Sequence, residues 1–186
     1  MKTVLVALLF APLWSWGAIV ITIQNDGSDV LATGSGSANT AGLSGFANAI
    51  AAPGIDSSLA RVFIGSSFAS IDRYDLPVGG PTAIGSVGPA YPNSGGGQVF
   101  GVLGGSNYLI LPSGYSSGDS LSGFSRFTNT SINDLGLSSG NYTWNWGSGA
   151  NADSLTISVV PEPSAYAALA GLLTLGIAVC RRRVRR

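Results

Sequence analysis

Asp72-Arg73-Tyr74-Asp75 sets two carboxylates, a guanidinium and a phenol side by side in one short stretch. Paired carboxylates are what acid–base cleavage of a glycosidic bond requires. A second acidic group, Asn25, Asp26 and Asp29, has the oxygen atoms a calcium ion prefers, although its spacing matches no defined calcium loop. Trp144 and Trp146 stand two residues apart and would stack on sugar rings if their strand faced outward.

The rest of the inventory narrows these options. The chain has no histidine, and with it loses the commonest general base near neutral pH and the commonest transition-metal ligand. Lys2 and Cys180 sit near the two ends, so residues 18–160 hold no lysine or cysteine, which excludes thiol nucleophiles, zinc thiolates, lysine bases and internal disulfides there. In this range eight aspartates face three arginines (Arg61, Arg73 and Arg126), a net charge of −5 that argues against nucleic acid and anionic lipid as partners. Arg73 between two aspartates reads as a solvated cluster at a strand edge. Asn25 to Asp29 reads as a polar turn, and the alternating tryptophans read as core before platform. No catalytic, metal or cofactor residue is expected. Asn129-Thr130-Ser131 and Asn141-Tyr142-Thr143 fit the N-glycosylation pattern by coincidence.

The elements that position these residues are short and β-like. No stretch of twelve residues before Ala165 keeps a helical apolar period free of Gly or Pro, while alternating or β-branched runs recur between turn residues. Ile19–Ile23 and Val30–Gly34 form a hairpin around the Gln24–Asp29 turn cluster. Leu43–Ile50 is compatible with a strand or a helical turn. Strands are expected at 61–64, 70–76, 98–103, 108–111 and 121–128. Residues 78–97 read as mostly loop, with one weak strand at Thr82–Val87. Leu137-Ser138-Ser139-Gly140-Asn141-Tyr142 before an aromatic strand has the spacing of a tyrosine corner, in which the phenol pins the turn. Leu155–Val159 alternates as the closing strand. The pattern predicts an all-β chain, a single antiparallel β-sandwich of roughly seven to ten strands.

Both ends carry transport information. Residues 1–17, with Lys2 ahead of an uncharged run, read as a secretory signal peptide cut after Gly17. Residues 18–160 are the exported domain. Pro161-Glu162-Pro163 follows it, and two prolines hold a segment extended and accessible. The uncharged run Ala165–Cys180 reaches about 24 Å as a helix, short for a hydrocarbon core of roughly 30 Å. Snorkelling arginines and local thinning cover the difference. Arg181, Arg182, Arg183, Arg185 and Arg186 form a cytoplasmic stop that resists translocation.

The order Pro-Glu-Pro, short apolar helix and terminal arginine cluster over residues 160–186 resembles the PEP-CTERM sorting signal of Gram-negative bacteria. That resemblance implies recognition at Pro161, Glu162 and Pro163 by an exosortase, a membrane-embedded transpeptidase-like enzyme that removes the tail during export. It implies transient anchoring in the inner membrane, then the cell surface or the exterior. Leu111-Pro112-Ser113-Gly114-Tyr115, Leu135-Gly136-Leu137, Tyr142-Thr143-Trp144 and Gly147–Leu155 resemble a recurrent domain of the same proteins, which adds no activity. The expected role is that of a non-enzymatic surface or extracellular-matrix protein, with a secreted carbohydrate-binding or carbohydrate-active protein as the alternative. The expected partners are the membrane, the exosortase and extracellular polysaccharide.

Overall fold

The computed structural model describes residues 18–77 and 79–160. The expected signal peptide, the Pro-Glu-Pro motif, the apolar run and the arginines expected as a cytoplasmic stop lie outside the described residues. Among those described, no helix is long and apolar enough to cross a membrane.

The described chain is all-β and forms two sheets. The strands are β1 (Ile19–Asp26), β2 (Asp29–Gly36), β3 (Ser44–Ala51), β4 (Gly54–Asp56), β5 (Arg61–Ile64), β6 (Ala69–Asp75), β7 (Pro89–Ala90), β8 (Ser94–Gly97), β9 (Phe100–Leu103), β10 (Tyr108–Pro112), β11 (Leu121–Phe127), β12 (Gly140–Trp146) and β13 (Asp153–Val159). The first sheet runs β12-β13-β1-β2-β11-β8 and the second β3-β6-β10-β9-β5-β4-β7. These thirteen strands exceed the expected seven to ten because β4, β7 and β8 are short pieces that no alternation announces.

Period-two patterning explains why the sheets stack. In the first sheet Ile19, Ile21, Ile23, Val30, Ala32, Phe127, Trp144, Trp146, Leu155, Ile157 and Val159 all point inward. They meet Ile55, Val62, Ile64, Phe100, Val102, Leu109 and Leu111 of the second in one continuous core. At Gly34 the sheets approach so closely that a Cβ would lie 2.5 Å from Ile64 Cδ1. A smaller cluster, Ala51, Phe63, Ile71, Val99 and Ile110, covers the other face of the second sheet, which is apolar on both sides.

Three expectations need correction or completion. All ladders are antiparallel except one, β1 with β13, where Ile21 faces Ile157 in parallel register. A parallel neighbour needs a long crossover, and here the whole chain from β2 to β12 supplies it. Thr82–Val87 is not a strand. Ile84 is buried at 2%, and its segment is a strap tied by Ile84 N–H to the Ser57 carbonyl and Ser138 N–H to the Ile84 carbonyl. Gly85 passes so near the Gly136 carbonyl that no side chain fits between them. Leu43–Ile50, left open between strand and helical turn, is strand β3 with a bulge between Ser44 and Ala47.

Candidate functional site

Asp72 and Asp75 do not form a catalytic pair. Side chains alternate along β6, so an odd spacing of three places them on opposite faces of the sheet. Asp72 is 2% exposed, and its Oδ1 accepts from Asn48 Nδ2 at 2.7 Å and its Oδ2 from Gly114 N–H at 2.8 Å. The expected solvated cluster is therefore wrong for Asp72, a buried and satisfied carboxylate that tethers β3 and the β10–β11 loop to β6. Arg73 pairs with neither neighbour. Its guanidinium sits over the Tyr108 ring at 4.2 Å from the centroid, a cation–π contact.

The other acidic group is drawn together. Asp26 and Asp29 are direct cross-strand partners at the mouth of the β1–β2 turn, where Gly27 takes a φ of 66°. Arg126 on β11 reaches both, at 2.6 Å to Asp26 Oδ2 and 2.9 Å to Asp29 Oδ2. The Asn129 N–H, donating to Asp29 Oδ1, and then Arg126 hold the Asp29 carboxyl below its ordinary value. Asn25 Oδ1 accepts from Ile132 N–H at 3.1 Å. The oxygens weighed as calcium ligands are thus spent on a guanidinium and backbone amides. No cluster of three metal-binding side chains occurs among the described residues.

The aromatic strand packs inward. Trp144 and Trp146 are 0% and 1% exposed, which removes them as a sugar platform. Trp146 Nε1 donates to the Asn39 carbonyl at 2.8 Å, and Asn39 N–H donates to Asp153 Oδ2 at 2.6 Å. Asp153 also accepts from Ser154 N–H, and burial pushes its carboxyl above the ordinary value. Sequence reasoning missed this anchor, although Asp153 stands on the same face as Leu155, Ile157 and Val159 and so occupies a core position. Tyr142 donates its hydroxyl to the Ser138 carbonyl at 2.9 Å, closing the tyrosine corner.

No protein-family model, curated protein or solved structure matches the chain.

The surface of the described residues also carries concavities, two of which bear on binding. One, of about 420 Å³, is lined by Ala52, Pro53, Ser66, Ser67, Phe68, Tyr91, Pro92, Asn93 and Ser94. Phe68 and Tyr91 flank it at 76% and 61% exposure. Its polar groups are hydroxyls and one amide, with no charge, and Arg61 lies behind Tyr91 at 5.8 Å from the ring centroid while donating to the Ala52 carbonyl. The other, of about 530 Å³, is a shallow trough on the outer face of the first sheet, with Val20, Thr22, Thr33, Ser35, Ser122 and Phe124 around a glycine floor. Neither holds a nucleophile beside a base. At the C-terminal end of the described chain, Val160 N–H donates to the Ile23 carbonyl, so β13 stays laddered up to the residue before Pro161.

Proposed function

We propose that the chain is an exported, non-enzymatic surface or matrix protein, delivered through Pro161-Glu162-Pro163 and acting by adhesion or assembly. In this reading residues 18–160 are a single β-sandwich, Ala165–Cys180 is a transmembrane helix following it, and an exosortase is the processing partner. The observation that carries the reading is the uninterrupted order of that motif, an uncharged run and Arg181–Arg186. Two features support it. The ladder is continuous as far as Val160, the last described residue before Pro161, and a segment with two prolines is disfavoured from continuing it. The carboxylates weighed for chemistry are separated by the sheet or engaged by Arg126, a poor basis for turnover. Cys180, at the cytoplasmic end of the apolar run, serves there as a small apolar residue.

Mass spectrometry of the exported product, in cells with and without the exosortase, tests this. The expected product has a C-terminus within a few residues of Pro161 only when the enzyme is present. Finding the intact arginine tail on surface-located protein would reduce the segment to a plain anchor.

A carbohydrate-binding role keeps one specific observation in its favour, the uncharged cleft between Phe68 and Tyr91, where rings and hydroxyls could meet the two kinds of surface a sugar offers. Titration with neutral oligosaccharides tests it: binding that disappears in Tyr91→Ala supports the role, and hydrolysis dependent on Asp72 or Asp75 would overturn the non-enzymatic reading.

A further inference from the structure

The four strands that end the two sheets are guarded unequally. β7 is two residues long and begins with Pro89. β8 has four residues, three of them glycine, and the Gly65 carbonyl presses on it so closely that a Cβ at Gly95 would lie 2.0 Å away. Short strands, proline and covering loops blunt a sheet edge. β12 is longer, but it turns Trp144 and Trp146 into the core and exposes Gly140, Asn141, Thr143 and Asn145, with Tyr142 half-buried and no aliphatic side chain shown to solvent. Among the described residues, β3 is guarded only by the bulge at its start. It is eight residues long, without charge or proline, and pairs with β6 on one side alone. It also exposes Phe46 at 59% and Ile50 at 75%, among the most exposed large apolar side chains described.

The arrangement along β3 is self-complementary. Phe46 lies edge-on to Tyr74 with ring centroids 5.6 Å apart, and Asn48 reaches Asp72. Tyr74 and Asp72 share a face of β6, so Phe46, Asn48 and, by alternation, Ile50 share one face of β3, with Ala47, Ala49 and Ala51 on the other. Phe46-Ala47-Asn48-Ala49-Ile50 therefore reads as large apolar, alanine, asparagine, alanine, large apolar in either direction. A two-fold axis through Asn48 sets Phe46 of each copy opposite Ile50 of the other and Ala47 opposite Ala49.

We propose that β3 is a homodimerisation edge: two copies pair β3 antiparallel to β3 about Asn48 and join their second sheets into one. A second copy fits better than a charged peptide, because the edge is neutral and offers a charged partner nothing, whereas identical edges satisfy each other's free backbone groups and close under two-fold symmetry. Two apolar cross-strand pairs are covered at the same time. The net charge of −5 on residues 18–160 opposes approach at long range, so added salt strengthens the dimer. This proposal stands independently of how the chain is sorted.

The test is sedimentation velocity of the full-length chain in density-matched detergent micelles over a range of concentrations. A reversible dimer is expected. Ile50→Lys makes it monomeric, and Thr143→Lys on β12 leaves it dimeric. In a Cys180→Ser background, mild oxidation links Phe46→Cys/Ile50→Cys chains into covalent dimers, whereas neither single cysteine variant links, because the axis never sets residue 46 or residue 50 opposite itself. A chain that stays monomeric at every concentration overturns the proposal. So does an Ile50→Lys dimer, or a single variant that cross-links as readily as the double.

Discussion

Two pairs of aspartates in this chain have the same spacing, three residues, and opposite fates. Between Asp26 and Asp29 the backbone turns, so hairpin pairing sets them face to face and Arg126 bridges them from β11. Between Asp72 and Asp75 the backbone runs straight along β6, and alternation sends one carboxylate to the buried side and leaves the other at the opposite face. Carboxylate spacing thus says nothing about chemistry until the path between the residues is known. The pair that looks more catalytic, with an arginine and a tyrosine between its members, is the one the fold separates.

Substitutions in and beside the two pairs sharpen the contrast. The largest effect is expected for Asp72→Ala, which removes a buried carboxylate together with its bonds from the partly exposed Asn48 Nδ2 and Gly114 N–H, and costs about 2 kcal/mol in denaturant melts. A neutral result would mean that water enters freely and that the two pairs are alike after all. Arg126→Ala should cost less, because its ion pairs are partly exposed and screened, and the loss should shrink as salt is added.

The same variant has a pH signature. A carboxyl whose folded value is lowered contributes stability above its unfolded value and loses it as pH falls through the folded one. Asp29 and Asp134 are both held below the ordinary 3.8, Asp29 by Asn129 and Arg126, Asp134 by Ser131. Stability should therefore drop below pH 3.8, and in Arg126→Ala a carboxyl titration followed by NMR should show Asp29 moving up towards that value. Asp153 acts in the opposite sense. Burial raises it, so its contribution is complete below 3.8 and declines as pH rises through the raised value. The smallest effect belongs to Asp75→Asn, within about 0.5 kcal/mol, since no hydrogen bond or ion pair of the described residues depends on that carboxylate.

Where local patterning and tertiary packing agree, the sequence was readable. Ile19, Ile21 and Ile23, the Trp144/Trp146 alternation and Leu155, Ile157 and Val159 each announce a half-buried strand, and each packs as its period requires. Tyr142 follows the same logic, because the tyrosine corner is made within four residues of chain. The short pieces were not legible. β7 and β8 consist of Pro, Ala, Ser and Gly, and they are strands only because β4 and β11 offer them ladders. Thr82–Val87 fails for the converse reason: it suggests a weak strand, but crowding against the Gly136 backbone leaves room for a single bridge, between Gly85 and Leu137.

By itself the sequence determined the fold class, the inward faces of the long strands and the tyrosine corner, because each follows from neighbours two to four residues away and from the hydrophobic effect acting on a period of two. It also determined the reagents on hand, with no histidine anywhere and aspartate as the only acid in residues 18–160. Tertiary structure alone decided which reagents meet. The parallel β1–β13 ladder, the Arg126 bridge to Asp26 and Asp29, the burial of Asp72 and Asp153, and the bare edge of β3 all join or part residues distant in the chain. Such contacts depend on which strands become neighbours, a choice made by the packing of the whole core that no local pattern encodes.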